Sequence, residues 1–254
     1  MKKTIILITS SLLLTACSTS TFYQVYKTAP ANGIVQSNKI LFEDNNAQIT
    51  YNLWDNGGDV GFLFYNKSTQ DITIHLDKSF FVLNGTAYDY FKYRTFTRSS
   101  NLTSMTAYRT YPYSYYNTSV GGTISSSNTT SFIEPNVIIV PPKTSRRVSE
   151  YVVTSSFLNS CDMLKYPSRK KIKALTFDKN NSPFTFSNLI TYSISGDTNR
   201  LENNFYVTSI SNMPENEVFE TKPEIVCDKQ TMNMIKIAKI GGPELFYIQY
   251  TTGK

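Results

Sequence analysis

The sequence predicts an all-β chain: an antiparallel, immunoglobulin-like β-sandwich with a long Ser/Thr/Tyr-rich loop and an elaborated C-terminal half. Three observations predict it. Aromatic and β-branched residues dominate the ordered-looking stretches. Apolar and polar residues alternate there with period two, which puts one face inward. Turn residues recur at short, regular spacing, as between strands of a sandwich.

The elements follow in order. Ile49, Tyr51 and Leu53 alternate with Thr50 and Asn52. Asp55-Asn56-Gly57-Gly58 ends that strand, with glycine free to take positive φ. Val60 to Tyr65 is a second, more continuous apolar strand, and Asn66 to Gln70 is a polar turn. Ile72, Ile74 and Leu76 alternate with Thr73, His75 and Asp77. Phe80 to Leu83 runs into Asn84-Gly85, a hairpin signal, and Tyr88 and Tyr90 continue beyond it. Later strands are expected at Val137–Val140, stopped by Pro141-Pro142, and at Val148–Val153, Ile172–Phe177, Phe184–Ile194, Asn204–Ile210 and Phe246–Tyr250. A short helix is expected within Thr154–Leu164, while Met232–Ile240 suits helix or strand. The sandwich is expected over 22–254, with a possible subdivision near 155.

One stretch breaks the pattern. Tyr90 to Ile133 contains no Asp or Glu, and from Arg94 to Ser131, 18 of 38 residues are Ser or Thr and five are Tyr. So little aliphatic side chain cannot fill a core, so 94–131 is expected as a flexible loop or ribbon. It carries Tyr108, Tyr111, Tyr113, Tyr115 and Tyr116 with Arg98 and Arg109. Tyrosine gives large amphipathic contact area and Ser/Thr adaptable hydrogen bonds, so these seven residues form the candidate binding surface, for a protein or a glycan.

The N-terminus sets the expected address. Lys2 and Lys3 precede an apolar run from Ile5 to Leu14, too short for a span of about 20 residues. Such a segment reads as a signal peptide, here 1–16. Leu14-Thr15-Ala16-Cys17 resembles the lipobox of bacterial lipoproteins. The resemblance implies diacylglyceryl on the Cys17 sulfur, a short tether over 17–21, and membrane attachment through the lipid. Ser18 follows the cysteine, and no acidic residue lies between Cys17 and Glu43. The expected place is the cell envelope, at the outer membrane, with the periplasmic face favoured over the surface. Removing 1–16 lowers the net charge from +6 by two to +4 and leaves 254 − 16 = 238 residues. That charge does not argue for nucleic acid as a partner. In an oxidising compartment Cys161 and Cys227 are expected to bridge, closing a loop of 227 − 161 = 66 residues and contributing roughly 4 kcal/mol. Two free thiols are the alternative.

Further stretches resemble uncharacterised lipoproteins of the Bacteroidetes: Phe22-Tyr23-Gln24-Val25-Tyr26, Tyr51-Asn52-Leu53-Trp54, Gly61-Phe62 with Asn66-Lys67-Ser68, and Ser79 to Gly85 leading to Tyr88-Asp89-Tyr90. The likeness covers residues 1 to 95. It implies an envelope location and brings no activity or catalytic residues.

Patterns for chemistry are sparse. The chain has a single histidine, His75, on the polar side of its strand, so neither a catalytic triad nor a zinc-hydrolase motif fits. No cofactor motif occurs, and no metal site is expected. Glu43-Asp44 and the acids from Glu215 to Glu224 are carboxylate pairs a glycosidase would need, read here as exposed acids. Arg169-Lys170-Lys171 with Lys173 reads as a solvated turn or a contact for anionic headgroups. Trp54 reads as a core anchor at a strand end. The expected function is a non-enzymatic interaction or structural module. Its rivals are a glycan-binding accessory lipoprotein, a fimbrial or adhesin subunit, and an acid-residue hydrolase.

Overall fold

In a computed structural model, the structure describes residues 19–102, 126–226 and 231–252. It is 56% strand and 4% helix, an all-β antiparallel sandwich with one curled sheet. The first strands are β1 (Thr21–Pro30), β2 (Ile34–Val35), β3 (Ile40–Glu43), β4 (Ala47–Tyr51), β5 (Phe62–Asn66), β6 (Ile72–Leu83) and β7 (Thr86–Asp89). β8 (Thr95–Leu102), β9 (Ser126–Ile133), β10 (Val137–Val140) and β11 (Ser145–Val148) follow. The C-terminal half has β12 (Ala174–Thr176), β13 (Thr185–Ile194), β14 (Asp197–Pro214), the one-turn helix α1 (Glu215–Val218), β15 (Phe219–Val226), β16 (Thr231–Ala238) and β17 (Leu245–Thr251).

The larger sheet runs β10-β6-β13-β14-β1-β17 and the smaller one β11-β5-β4-β3-β2. Two edges of the larger sheet are shared. β13 pairs with residues 197–206 of β14, and β12 takes over along Ser209–Ser211 on the same side. β10 pairs with Ile72–His75 of β6, and β7 pairs with Phe80–Leu83. β8 and β9 pair only with each other, in register from Thr95↔Ile133 to Leu102↔Ser126. This ribbon leaves the sheet between β7 and β10: Tyr90 N donates to Ser79 O, and Leu76 N to Asn136 O. The ends of the 94–131 segment are therefore paired strands rather than open loop. Thr and Ser tolerate an extended ladder without needing a core.

The alternation predicted from sequence is the packing. β4 buries Ala47, Ile49 and Tyr51, and β5 buries Phe62, Phe64 and Asn66. Tyr192, Phe81, Phe205 and Phe246 fill the space between sheets, and the core draws on residues before and after 155. β1 is buried on both faces. Tyr26 faces that core, stacking on Phe246 at 4.5 Å, while Tyr23 and Val25 join Val218, Trp54 and Phe219 in a second cluster. Asn84 and Gly85 both have positive φ, as the hairpin turn between β6 and β7 requires.

Strand β11 covers Ser145–Val148 rather than the expected Val148–Val153, and a second expectation changes as well. Thr154–Leu164 is irregular chain instead of helix. The buried amide of Gln24 accepts from Leu158 N at 2.7 Å and donates to Leu158 O at 2.9 Å, and Asn212 Nδ2 donates to Leu164 O at 2.9 Å. These side chains satisfy backbone groups that a helix would have paired. A short 3-10 turn occurs instead at Arg169–Lys171. Met232–Ile240 resolves as strand β16.

Candidate functional site

The root of the β8–β9 ribbon joins four charged side chains, Lys92, Arg94, Glu134 and Glu150. Residues 92–94 leave the sheet and Glu134 re-enters it, so both crossings meet there. Glu134 is only 6% exposed and its carboxylate accepts four hydrogen bonds. Its Oε2 takes Lys92 N at 2.9 Å and Arg94 N at 3.2 Å. Its Oε1 takes Arg94 Nε at 3.0 Å and Arg94 Nη2. Arg94 also reaches Glu150 from Nη1 at 2.8 Å and Nη2 at 3.0 Å, and Lys92 Nζ reaches Glu150 at 2.8 Å. The Arg94 bonds hold the Glu134 carboxyl below the usual carboxylate range. Partial burial works against charge on Glu150, yet bonds from Arg94 and Lys92 bring it below that range too. The same carboxylates raise Arg94 and Lys92. A planar guanidinium bridging two carboxylates fixes the ribbon's angle of departure in a way a point charge would not.

Above the clamp the ribbon presents apolar surface to solvent. Phe96 stacks on Phe132 at 5.1 Å with Phe132 54% exposed, and Tyr93 and Ile133 are exposed. Arg94 lies 5.5 Å from the Phe96 ring centroid. Beside the root, Phe81, Leu83, Tyr88, Tyr151 and Val152–Ser155 line an open groove of about 310 Å³. Tyr151 stacks on Phe81 at 5.2 Å, and Lys92 Nζ sits 4.4 Å over its ring.

Of the predicted binding residues, Arg98 lies on β8 opposite Thr130. Tyr108, Arg109, Tyr111, Tyr113, Tyr115 and Tyr116 fall outside the described residues, as does Cys17. Cys161 is exposed, and among the described residues no bridge is at disulfide distance. Cys227, the other half of the expected Cys161–Cys227 pair, lies outside the described residues.

His75 Nε2 meets Ser193 Oγ at 2.9 Å on the partly exposed side of β6. Trp54 packs edge-on against Tyr247 at 5.0 Å, anchoring the second cluster. The candidate carboxylates are tied up locally. Glu43 pairs with Lys67, and Asp44 accepts from Asn46 N, Ala47 N and Tyr192 OH. Glu215, Glu217 and Glu220 pair with Lys236, Arg169 and Lys222. Among the described residues no group of three or more His, Cys, Asp or Glu is placed to hold a metal ion, and no helix is long and apolar enough to cross a membrane.

Sequence reading missed the clamp. Its one visible signal was Glu134, the first acid after the acid-free stretch that begins at Tyr90. Comparison with protein-family models, curated proteins and solved structures finds no match to this chain, so the fold and the site stand on their own geometry.

Proposed function

We propose that this protein is a lipid-anchored lipoprotein of the bacterial cell envelope that acts as a non-enzymatic interaction module, presenting the Tyr/Ser/Thr segment to a protein partner. One observation carries this reading. An acid-free segment unable to build a core is mounted on a two-stranded ribbon, and a buried carboxylate accepting four hydrogen bonds fixes that ribbon to the sheet. A chain with no recognition task has little reason to hold such a segment at a set angle.

Position supports the same reading. The ribbon leaves β6 near His75, which is level with Thr191 and, across β13, with Arg200 of β14. Thr21, the first residue of β1, lies at the opposite end of β14, by Pro214. The 14 residues from Arg200 to Pro214 span about 45 Å of strand contour. Thr21, four residues after the proposed anchor at Cys17, and the ribbon root thus lie at opposite ends of β14.

The test is a photo-crosslinking residue at Tyr113 in cells, with a control at exposed Lys179. The expected result is a discrete adduct with an envelope protein from position 113 alone, lost when Tyr111 and Tyr115 become Ala. No adduct, or the same adduct from Lys179, overturns the reading. The groove lined by Phe81, Tyr88 and Tyr151 favours a second reading, a glycan stacked on aromatic faces. On a glycan array that reading predicts a signal removed by Tyr88→Ala and retained in Tyr113→Ala/Tyr115→Ala.

A further inference from the structure

The first described residues lie at the end of the sheet away from the ribbon. Ser20 O accepts from Thr252 N at 3.0 Å, and Ser20 N donates to Thr252 Oγ1 at 3.1 Å. Beside this pair lies the chain from Leu164 to Lys173. Tyr166 OH donates to Thr251 O at 3.3 Å, its ring is 5.2 Å from Phe22, and Tyr250 OH donates to Lys165 O at 2.5 Å. Residues 162–173 carry five bases, Lys165, Arg169, Lys170, Lys171 and Lys173, against one acid, Asp162. That excess of four equals the whole net charge of residues 17–254. One further acid faces the turn, Glu217, which holds Arg169 at 3.2 Å; the other four bases have no carboxylate among the described ion pairs. Within the patch Leu164 is 55% and Tyr166 41% exposed.

We propose that this face, Leu164 to Lys173, docks on the anionic phospholipid headgroups of the bilayer that holds the Cys17 acyl chains. The proposal deepens the lipid-anchor reading and rests on it. Two magnitudes bring the surfaces together. Three Cα steps separate Cys17 from Ser20, at most about 10 Å of chain. The potential of an anionic bilayer decays over a Debye length, about 8 Å at physiological salt. So short a tether keeps the basic turn inside that field. Tyrosine at headgroup depth, with Leu164 beside it, adds the amphipathic contact typical of a membrane interface. The docked face sets the orientation that a single-point tether leaves free.

The test uses the mature chain, 17–254, with Cys17→Ser, which keeps every described residue and cannot be acylated. It is sedimented with vesicles of phosphatidylcholine, alone or mixed with phosphatidylglycerol. Binding is expected only to the mixed vesicles and weakens as salt rises. Lys170→Glu/Lys171→Glu is expected to lower the partition coefficient by at least about 25-fold, from roughly fivefold per charge removed. Arg146→Glu/Arg147→Glu, on β11 of the other sheet, changes net charge equally and is expected to leave most of the binding. Equal binding to neutral vesicles, or equal loss in both double variants, overturns the proposal. Failure of the anchor is read separately, by radiolabelled fatty acid on the wild-type chain. Vesicle binding without label removes the anchor and leaves the docking face, whereas label without vesicle binding removes the docking face.

Discussion

Single side chains decide several local geometries. Asn66 is fully buried where both crossings between the sheets meet, donating to Gln70 O at 2.7 Å and Val140 O at 2.9 Å while its Oδ1 accepts from Ser68. Asn66→Ala leaves those carbonyls buried without donors, and urea unfolding is expected to show a loss of roughly 2–4 kcal/mol. Tyr51 OH accepts from Asn188 at 3.2 Å and Asn203 at 2.6 Å in the middle of the core. Burial pushes its phenol well above its ordinary value, so it stays protonated. Tyr51→Phe keeps the ring and strands amide donors, an expected cost of about 1–3 kcal/mol in the same measurement. Sequence alone showed Tyr51 as inward, because alternation reports which face a residue takes. It showed Asn66 only as the start of a polar turn. What buries that amide is the chain at Val140–Thr144, 74 residues or more away, and no local pattern records such a neighbour.

Among the elements, turns were the most legible and side-chain-supported coil the least. Asn84-Gly85 announced its hairpin by residue type alone, since both positions need positive φ. The stretch 154–164 read as helix because the amides that hold it, Gln24 and Asn212, belong to strands far away in sequence. Two glycines separate conformational strain from crowding. At Gly196, φ +91°, a Cβ meets nothing within 4 Å, whereas at Gly58, φ +77°, it falls 2.8 Å from the Phe246 ring. Gly196→Ala is expected to cost about 1–2 kcal/mol in thermal unfolding, from backbone strain alone. Gly58→Ala is expected to cost clearly more, because the Phe246 ring must move as well. The ribbon's own weak point is acid. Glu134 and Glu150 have depressed folded-state values, so their contribution is complete above the ordinary carboxylate range and is lost as pH falls through the depressed ones. Hydrogen exchange in β8 and β9 is expected to quicken below about pH 4, before the main sheets loosen, and Glu134→Gln is expected to show the fast exchange already at pH 7. An acid-insensitive ribbon would show that the clamp does not set its stability.

For the whole molecule, the fold class was plain from composition and period, while the arrangement was not. Nothing in Arg94 or Glu134 taken singly indicates that they meet, and nothing in the basic run at 169–171 indicates that Tyr166, just before it, bonds to Thr251. With a fluorophore placed in turn at Lys170 and at Tyr93, brominated lipid is expected to quench the first and spare the second in the acylated protein. Equal quenching would show that the two ends of the sheet do not differ in distance from the bilayer. The sheet also imposes a schedule. β1, the first strand made, is flanked only by β14 and by β17, the last. On the proposed export route its neighbours follow only after most of the chain, and contacts so distant in sequence form slowly. On that route β1 stays without its strand partners through most of translocation, the window in which the proposed acylation of Cys17 would take place.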